Sequence, residues 1–197
     1  MSSSTPTRLV LASTSRYRRE LLGRLHVPFE CLAPAVDETP LPQERALDLS
    51  RRLARLKAES VAAARVDAVV VGSDQVALRG HEVLGKPGSA EHCRDQLRAS
   101  SGREVVFLTA VHVVEVHSGR AESHVDRTLV RFRTLAEGEI ERYVAADQPL
   151  DCAGGFKAET LGIALFESIE TTDPTALTGL PLIWLAGALR RAGFQVP

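Results

Sequence analysis

The sequence predicts an α/β fold in which helices pack on a single mixed, twisted sheet, with an active-site cleft at the strand ends. Two observations lead to this class. Short apolar or β-branched runs alternate with segments of helical periodicity, and no repeat or low-complexity linker interrupts them. The length of 197 residues suits one domain. We expect this domain to occupy residues 8–197, after a polar and disordered lead-in at residues 1–7.

The chain is predicted to begin with a strand, a polar turn and a helix. Residues 9–12 form an apolar run typical of a buried strand, and Ser15 is suited to cap a helix that ends before Pro28. A second strand is expected at residues 29–33. The Ala, Leu, Arg and Glu content of residues 44–64 then favours a long helix. One stripe of this helix should face the core and carries three leucines at helical spacing: Leu49, Leu53 and Leu56.

The middle of the chain is rich in strand signals. Residues 67–72 are a β-branched run that predicts a central strand, and this strand should end at residues 73–75. A hairpin is expected over residues 75–84 because it contains Arg79 followed by a turn-forming glycine. A helix at residues 90–99 completes this part of the chain.

The remaining chain begins with two long strand candidates. Residues 104–116 and 121–133 are expected to form an antiparallel hairpin. Helix returns at residues 136–146, and a strand is predicted at 163–169. A terminal helix should occupy residues 182–191, directly after a Gly-Leu-Pro turn.

Composition and charge exclude several classes of partner. Lys and Arg number 24 and Asp and Glu number 25, so the formal net charge of -1 provides no overall basic field for a nucleic-acid polymer. No apolar stretch suits a membrane helix, and residues 1–7 lack the apolar core of a secretory signal. We therefore expect a cytoplasmic protein. Its three cysteines are far apart and contain no Cys-x-x-Cys pair, which favours free thiols: Cys31, Cys93 and Cys152.

Hydroxyl and guanidinium groups gather at the first turn, in residues 13–19. A helix N-terminus offers unpaired N–H groups and the positive end of a dipole, and arginine matches the geometry of phosphate oxygens. The cluster therefore suits a triphosphate cradle. An ordinary helix cap with solvent-facing arginines explains the same residues, because the sequence contains no Gly-rich P-loop pattern.

Three acids form a candidate metal site. Asp37 and Glu38 share one loop, and Asp74 follows an apolar strand. Carboxylates that converge from two segments can hold Mg²⁺, which keeps several waters and bridges to substrate phosphates. Adjacent side chains on extended backbone point to opposite sides, so only one of Asp37 and Glu38 should face the ion. The residues leave open which one, and a solvated acidic pair is the alternative.

Two lysines are weaker candidates for the site when only their residue type and position are considered. Lys86 precedes a proline, which restricts its backbone to extended conformations. Lys57 lies in an Arg-rich helix, so its residue type and position alone predict an exposed side chain.

Seven segments in this order resemble the Maf family of nucleoside triphosphate pyrophosphatases, and together they cover nearly the whole chain. They lie at residues 11–22, 36–39, 56–58, 72–75, 85–87, 152–159 and 179–182. The resemblance implies a Maf and inosine triphosphatase-like fold, and hydrolysis between the α- and β-phosphates of a nucleotide. It also implies a divalent cation, Mg²⁺ or Mn²⁺, and suggests a homodimer.

The resemblance further implies a role for each matching residue. Glu38 and Asp74 would hold the metal, and Asp74 would also accept the proton of the attacking water. The residues that would bind phosphates are Ser13, Arg18, Lys57 and Lys86. This division agrees with phosphoryl-transfer chemistry, in which cations stabilise the phosphate oxygens and one carboxylate orients water.

Tyr17, Gln75 and Glu159 resemble the branch of the family that acts on 7-methyl-GTP. The branch acting on dTTP and UTP typically has Arg, Thr and Gln at these positions. Methylation at N7 makes the purine cationic, which favours an aromatic face such as Tyr17. Glu159 would either accept hydrogen bonds from guanine or offset the ring charge. The chain departs from the family at Arg16, where proline is usual.

Two other functions are compatible with the same motifs. One is a pyrophosphatase for dTTP, UTP or other modified nucleotides. The other is a nucleotide-sensing division regulator that binds without turnover.

Overall fold

A computed structural model describes residues 8–197, so the predicted lead-in at residues 1–7 lies outside the described residues. The strands are β1 (Arg8–Ala12), β2 (Phe29–Leu32), β3 (Ala68–Arg79), β4 (Glu82–Leu84), β5 (Glu104–Glu115), β6 (Arg120–Phe132) and β7 (Phe166–Glu170). The helices are α1 (Arg16–Gly23), α2 (Ala46–Ala62), α3 (Ala90–Ser100), α4 (Glu137–Asp147) and α5 (Leu182–Arg191). Two 3₁₀ turns lie at Leu161–Leu165 and Ala176–Thr178.

Across residues 8–197 the seven strands form one mixed sheet in the order β2-β1-β3-β5-β6-β7, with β4 beside β3. β1 runs parallel to β2 and β3, whereas β5, β6 and β7 pair in antiparallel fashion. The predicted α/β class with a single mixed sheet is therefore confirmed.

One edge of β3 is interrupted, and this interruption positions the cleft. β5 pairs with β3 along the other edge from Val69 to Leu78. On the interrupted edge, β1 pairs with residues 68–71 and β4 with residues 77–79. In the described chain, residues 72–76 thus have a strand partner on one side only, which leaves a gap between β1 and β4.

Alternating side chains of β3 face two different layers of helices. Val70 and Val76 pack toward α2. Val69 and Val71 face the opposite side, where α1 and α5 cover the sheet near β1. Ala77 lies on that same side, but α3 and α4 cover the sheet there. The side opposite α2 is therefore covered by two separate pairs of helices.

α2 packs closely on β3 because position 72 is a glycine. A Cβ atom at Gly72 would lie 2.6 Å from the backbone nitrogen of Ala58 and would also overlap the carbonyl oxygen of Ala54. The face of α2 that meets the sheet includes Leu49 and Leu53, both of which are buried. The next residue of this i, i+4 row is a lysine, at position 57.

The prediction that Leu56 belongs to the core stripe is therefore wrong, because this side chain is only half-buried. The expected end of the central strand at residues 73–75 is also wrong. β3 continues to Arg79 because β5 pairs with it from Val69 to Leu78. Residues 163–165, expected in a strand, belong to a 3₁₀ turn that precedes β7.

The other predicted elements are confirmed to within a few residues, including the Ser15 cap of α1 and both hairpins. The cysteines are free thiols, as expected. No helix in residues 8–197 has both the length and the apolar character needed to cross a bilayer.

We expect Gly72→Ala to lower the free energy of unfolding by about 1–3 kcal/mol, because overpacking would push α2 away from β3. Urea denaturation measures this change. Gly23→Ala is the matched control, since a Cβ there meets no atom within 4 Å. The control should change stability by less than about 1 kcal/mol. Equal stability of the two variants would contradict the close packing of α2.

Candidate active site

A cleft of about 700 Å³ opens at the gap in the edge of β3. Its walls include the turn after β1, the turn after β4 and the second 3₁₀ turn. All nine residues that the sequence assigned to the site line this cleft: Ser13, Tyr17, Arg18, Glu38, Lys57, Asp74, Gln75, Lys86 and Glu159.

Lys57 joins two carboxylates at the α2 side of the cleft. Its Nζ atom lies 2.7 Å from Oδ1 of Asp74 and 2.9 Å from Oε2 of Glu38. The Lys57 side chain is only 7 % exposed, so the expectation of a surface lysine is wrong. Gly72 and Asp74 share one face of β3, and the close approach of α2 at Gly72 brings Lys57 over Asp74.

Asp74 is buried and lies near two basic side chains. Burial raises its pKa, whereas the charges of Lys57 and Arg18 oppose this shift. Arg18 approaches from the N-terminal turn, and burial lowers the pKa of its guanidinium. Its Nε atom donates to the carbonyl oxygen of Gly179 at 3.0 Å, which fixes the direction of the side chain.

Glu38, rather than Asp37, points into the cleft. Asp37 turns away and its Oδ1 atom accepts from the backbone nitrogen of Thr39 at 2.9 Å. This hydrogen bonding lowers the pKa of Asp37. The adjacent acids thus face different directions, as extended backbone requires.

The donor set around Lys57 fits a hard divalent cation. Glu38 and Asp74 supply carboxylate oxygens from two different segments, and they already converge on one positive charge. Residues 8–197 contain no cluster of three or more His, Cys, Asp or Glu side chains that could cage a metal. An ion here would therefore be coordinated by these two carboxylates together with waters and ligand phosphates, which is the usual coordination of Mg²⁺ in proteins.

The N-terminal turn and the turn after β4 both line the cleft. Ser13 is buried, and its Oγ atom accepts from the backbone nitrogen of Ser15 at 3.1 Å. Ser15 in turn caps α1 by accepting from the backbone nitrogen of Arg18. Lys86, in the turn after β4, is exposed and lines the cleft. Its ammonium is therefore free to move toward a bound ligand.

Tyr17 lies beside Asp151 and Cys152, two residues that were not among the predicted site residues. Its hydroxyl lies 3.5 Å from Oδ1 of Asp151 and 3.5 Å from Sγ of Cys152. Arg16 donates to the same hydroxyl at 2.7 Å, and its guanidinium carbon lies 4.7 Å from the ring centroid. Partial burial raises the pKa of Tyr17 above its usual value. More than 130 residues separate Tyr17 from Asp151, and no local pattern links them.

Gln75 faces the opposite side of β3 from Asp74. Its Nε2 atom lies 2.9 Å from the hydroxyl of Thr109 and 3.0 Å from the carbonyl oxygens of Ala176 and Leu177. Thr109 was not among the predicted site residues. A lone hydroxyl within the apolar run of β5 is the signal that could have revealed it.

These features define an α/β protein whose charged cleft lies at an interrupted strand edge. Residues 8–192 match the family model described as Maf-like protein, so the chain belongs to the Maf family.

Similar proteins from three bacteria are all named 7-methyl-GTP pyrophosphatase. The Thiobacillus denitrificans protein is 50 % identical over 196 residues, which cover 100 % of this chain and 97 % of the relative. The Polaromonas sp. protein is 56 % identical over 191 residues, or 96 % of this chain and 87 % of the relative. The Xanthomonas campestris pv. campestris protein is 54 % identical over 190 residues, or 96 % and 98 %.

We expect Lys57→Met to lower the free energy of unfolding by about 3–5 kcal/mol, because Asp74 would lose its partner in a buried pair. A double-mutant cycle with Asp74→Asn, measured by urea denaturation, isolates this interaction. The double variant should lose much less stability than the sum of the single variants.

The exposed Arg55–Glu59 pair of α2 provides the control cycle. Its coupling should be within about 0.5 kcal/mol of zero, as for other exposed helix pairs. Additive effects of Lys57→Met and Asp74→Asn would contradict the buried ion pair.

Proposed function

We propose that this protein hydrolyses 7-methyl-GTP to 7-methyl-GMP and pyrophosphate. The observation that carries the proposal is the contact of Lys57 with both Asp74 and Glu38, inside the cleft that also contains Tyr17 and Glu159. Family membership and the shared name of the similar proteins support the same substrate.

The cationic groups bind and orient the triphosphate. Arg18 is held by Gly179 at the N-terminal turn, and Lys57 is anchored by its two carboxylates. Ser13 offers a hydroxyl in the N-terminal turn. Lys86 can move toward the phosphates from the turn after β4. Two fixed charges and one mobile charge thereby offset the negative charge that develops on the phosphate oxygens.

Asp74 accepts the proton of the attacking water. The water oxygen forms a bond to the α-phosphorus, the bond to the bridging oxygen of the β-phosphate breaks, and pyrophosphate leaves. Burial raises the pKa of Asp74, which makes its carboxylate a stronger base than an exposed one. Lys57 holds Oδ1, so Oδ2 is the oxygen that remains to take the proton.

Glu38 and Asp74 would hold the divalent cation, Mg²⁺ or Mn²⁺. When bound, such an ion neutralises charge on the phosphate oxygens. Lys57 keeps the two carboxylates close together before any ligand enters, and it screens their mutual repulsion.

Three residues recognise the base in this proposal. Tyr17 presents an aromatic ring to the positively charged 7-methylguanine, an attraction of about 0.5–2 kcal/mol. Gln75 and the exposed carboxylate of Glu159 line the same cleft and can accept the hydrogen bonds of guanine. A site that requires these bonds rejects pyrimidines.

We place this reaction in the cytoplasm, since the three free cysteines suit a reducing compartment. The homodimer suggested by the resemblance stays a prediction.

Steady-state kinetics with 7-methyl-GTP, GTP, dTTP and UTP test the substrate, with pyrophosphate release as the readout. We expect the highest kcat/KM for 7-methyl-GTP, and no release after all divalent cations are removed with EDTA. A preference for dTTP or UTP would assign the chain to the pyrimidine branch. Nucleotide binding without pyrophosphate release, in the presence of Mg²⁺ and Mn²⁺, would instead support the sensor.

We expect Asp74→Asn to lower kcat at least about 100-fold, because the amide keeps the size of the side chain but cannot accept the proton. Binding of 7-methyl-GTP should stay measurable by calorimetry. Asp37→Asn is the control, since Asp37 bonds to Thr39 and does not line the cleft. Similar kcat values for the two variants would refute the role of Asp74.

A further inference from the structure

The segment between β7 and α5 lies against the side of the sheet opposite α2, and two buried carboxylates hold it there. Asp126 on β6 is 1 % exposed, and Asp173 in the segment is 3 % exposed. Neither forms a salt bridge with any residue of the described chain, although buried charges are usually paired. Hydroxyl and amide donors take the place of a basic partner.

Three threonine hydroxyls surround Asp126, with Oγ1 atoms 2.6–3.2 Å from its carboxylate: Thr128, Thr171 and Thr172. Asp173 accepts from the hydroxyl of Thr175 at 2.6 Å and from its amide at 2.9 Å. The second oxygen of Asp173 accepts from the amide of Ile183 at 2.6 Å, in the first turn of α5. Both ends of the segment are thus tied down.

The carbonyl groups of this segment set the orientation of Gln75. Ala176 and Leu177 both offer carbonyl oxygens, which can only accept, so the amide nitrogen of Gln75 must face them. Thr109 supports this arrangement because its hydroxyl donates to Ala176 and accepts from Gln75. The nitrogen is therefore saturated, and Oε1 is the atom that Gln75 can offer to a ligand.

The same segment orients Arg18, which binds phosphates in the proposed function. The carbonyl oxygen of Gly179 accepts from Nε of Arg18 at 3.0 Å and from the hydroxyl of Ser73 at 2.9 Å. Movement of the segment would therefore release the guanidinium of Arg18 as well as the amide of Gln75.

The strand register connects Asp126 directly to the site. Gln75 lies opposite Thr109, and Thr109 lies opposite Asp126. Residues opposite each other on neighbouring strands point to the same face of a sheet. Gln75, Thr109 and Asp126 thus form one row across β3, β5 and β6, and the segment lies along it.

We propose that Asp126 and Asp173 are positioning residues for nucleotide recognition. They hold the segment so that Gln75 presents a hydrogen-bond acceptor and Arg18 presents its guanidinium. Gln75 and Glu159 then offer two acceptors to a base with adjacent donors, as on the Watson–Crick edge of guanine. Uracil has one donor between two acceptors and fits less well. The identity of the base rests on the proposed function.

The test compares Asp126→Ala and Asp126→Asn with the unmodified protein, using the ratio of kcat/KM for 7-methyl-GTP to kcat/KM for UTP. This ratio is independent of the fraction of folded enzyme, so loss of stability alone cannot change it. We expect Asp126→Ala to lower the ratio about tenfold, the loss typical of a misplaced hydrogen-bonding group, and to raise KM for both substrates. Asp126→Asn should retain more of the discrimination because it keeps the size and one acceptor oxygen.

Ser123→Ala is the control for a purely structural effect. Ser123 is on the same strand as Asp126, and its hydroxyl bonds to Nδ1 of the buried His112 at 2.6 Å, away from the cleft. This variant should lower Tm without changing the ratio. An Asp126→Ala variant that leaves the ratio within about twofold, whether or not its Tm falls, would overturn the proposal.

The proposed function can fail separately. If the unmodified protein hydrolyses none of the nucleotides, the proposed activity is wrong. Hydrogen exchange then tests the hydrogen-bond network of Asp126 and Asp173 without any measurement of activity. The amides of Thr175 and Ile183 donate to Asp173, so they should exchange faster in Asp126→Ala if Asp126 holds the segment. Unchanged exchange would refute the positioning role.

Discussion

The ammonium of Lys57 is the charge on which the site depends. It lies between Asp74 and Glu38, and without it two carboxylates would face each other at the edge of a buried strand. Burial of a lysine is costly unless it is paired, so Lys57 and its partners must be arranged together. The fold achieves this through Gly72, which lets α2 approach β3 and places the lysine directly over Asp74.

The interrupted edge of β3 explains how one short stretch of chain serves two chemical tasks. Between β1 and β4 the strand has no partner on one side among residues 8–197, so neighbouring residues reach the cleft from both faces of the sheet. Asp74 meets the charged groups on the α2 side. Gln75 meets the carbonyls of the 3₁₀ turn on the opposite side. In the proposed reaction Asp74 acts on the phosphates from the first face. Gln75 recognises the base from the second face, where Gly179 also orients the guanidinium of Arg18.

Much of the fold could be predicted because its signals are local. The cap at Ser15 and the long hairpin of β5 and β6 depend on residues close in sequence. The position of Asp74 in the interior of a strand could not be predicted, because β3 extends beyond its apolar run only through pairing with a distant strand. The burial of Lys57 could not be predicted from its residue type and position either, since its partner Asp74 lies 17 residues away. All nine residues assigned through the ordered motifs line one cleft. The network around Asp126, in contrast, has no sequence signature.

The position of a bound nucleotide tests this account most directly. A crystal structure with the α,β-methylene analogue of 7-methyl-GTP and Mn²⁺ would show it. The account predicts the triphosphate in the gap between β1 and β4, with the α-phosphate beside Asp74 and the base toward Tyr17 and Gln75. A nucleotide bound elsewhere, or one whose α-phosphate is remote from Asp74, would contradict it.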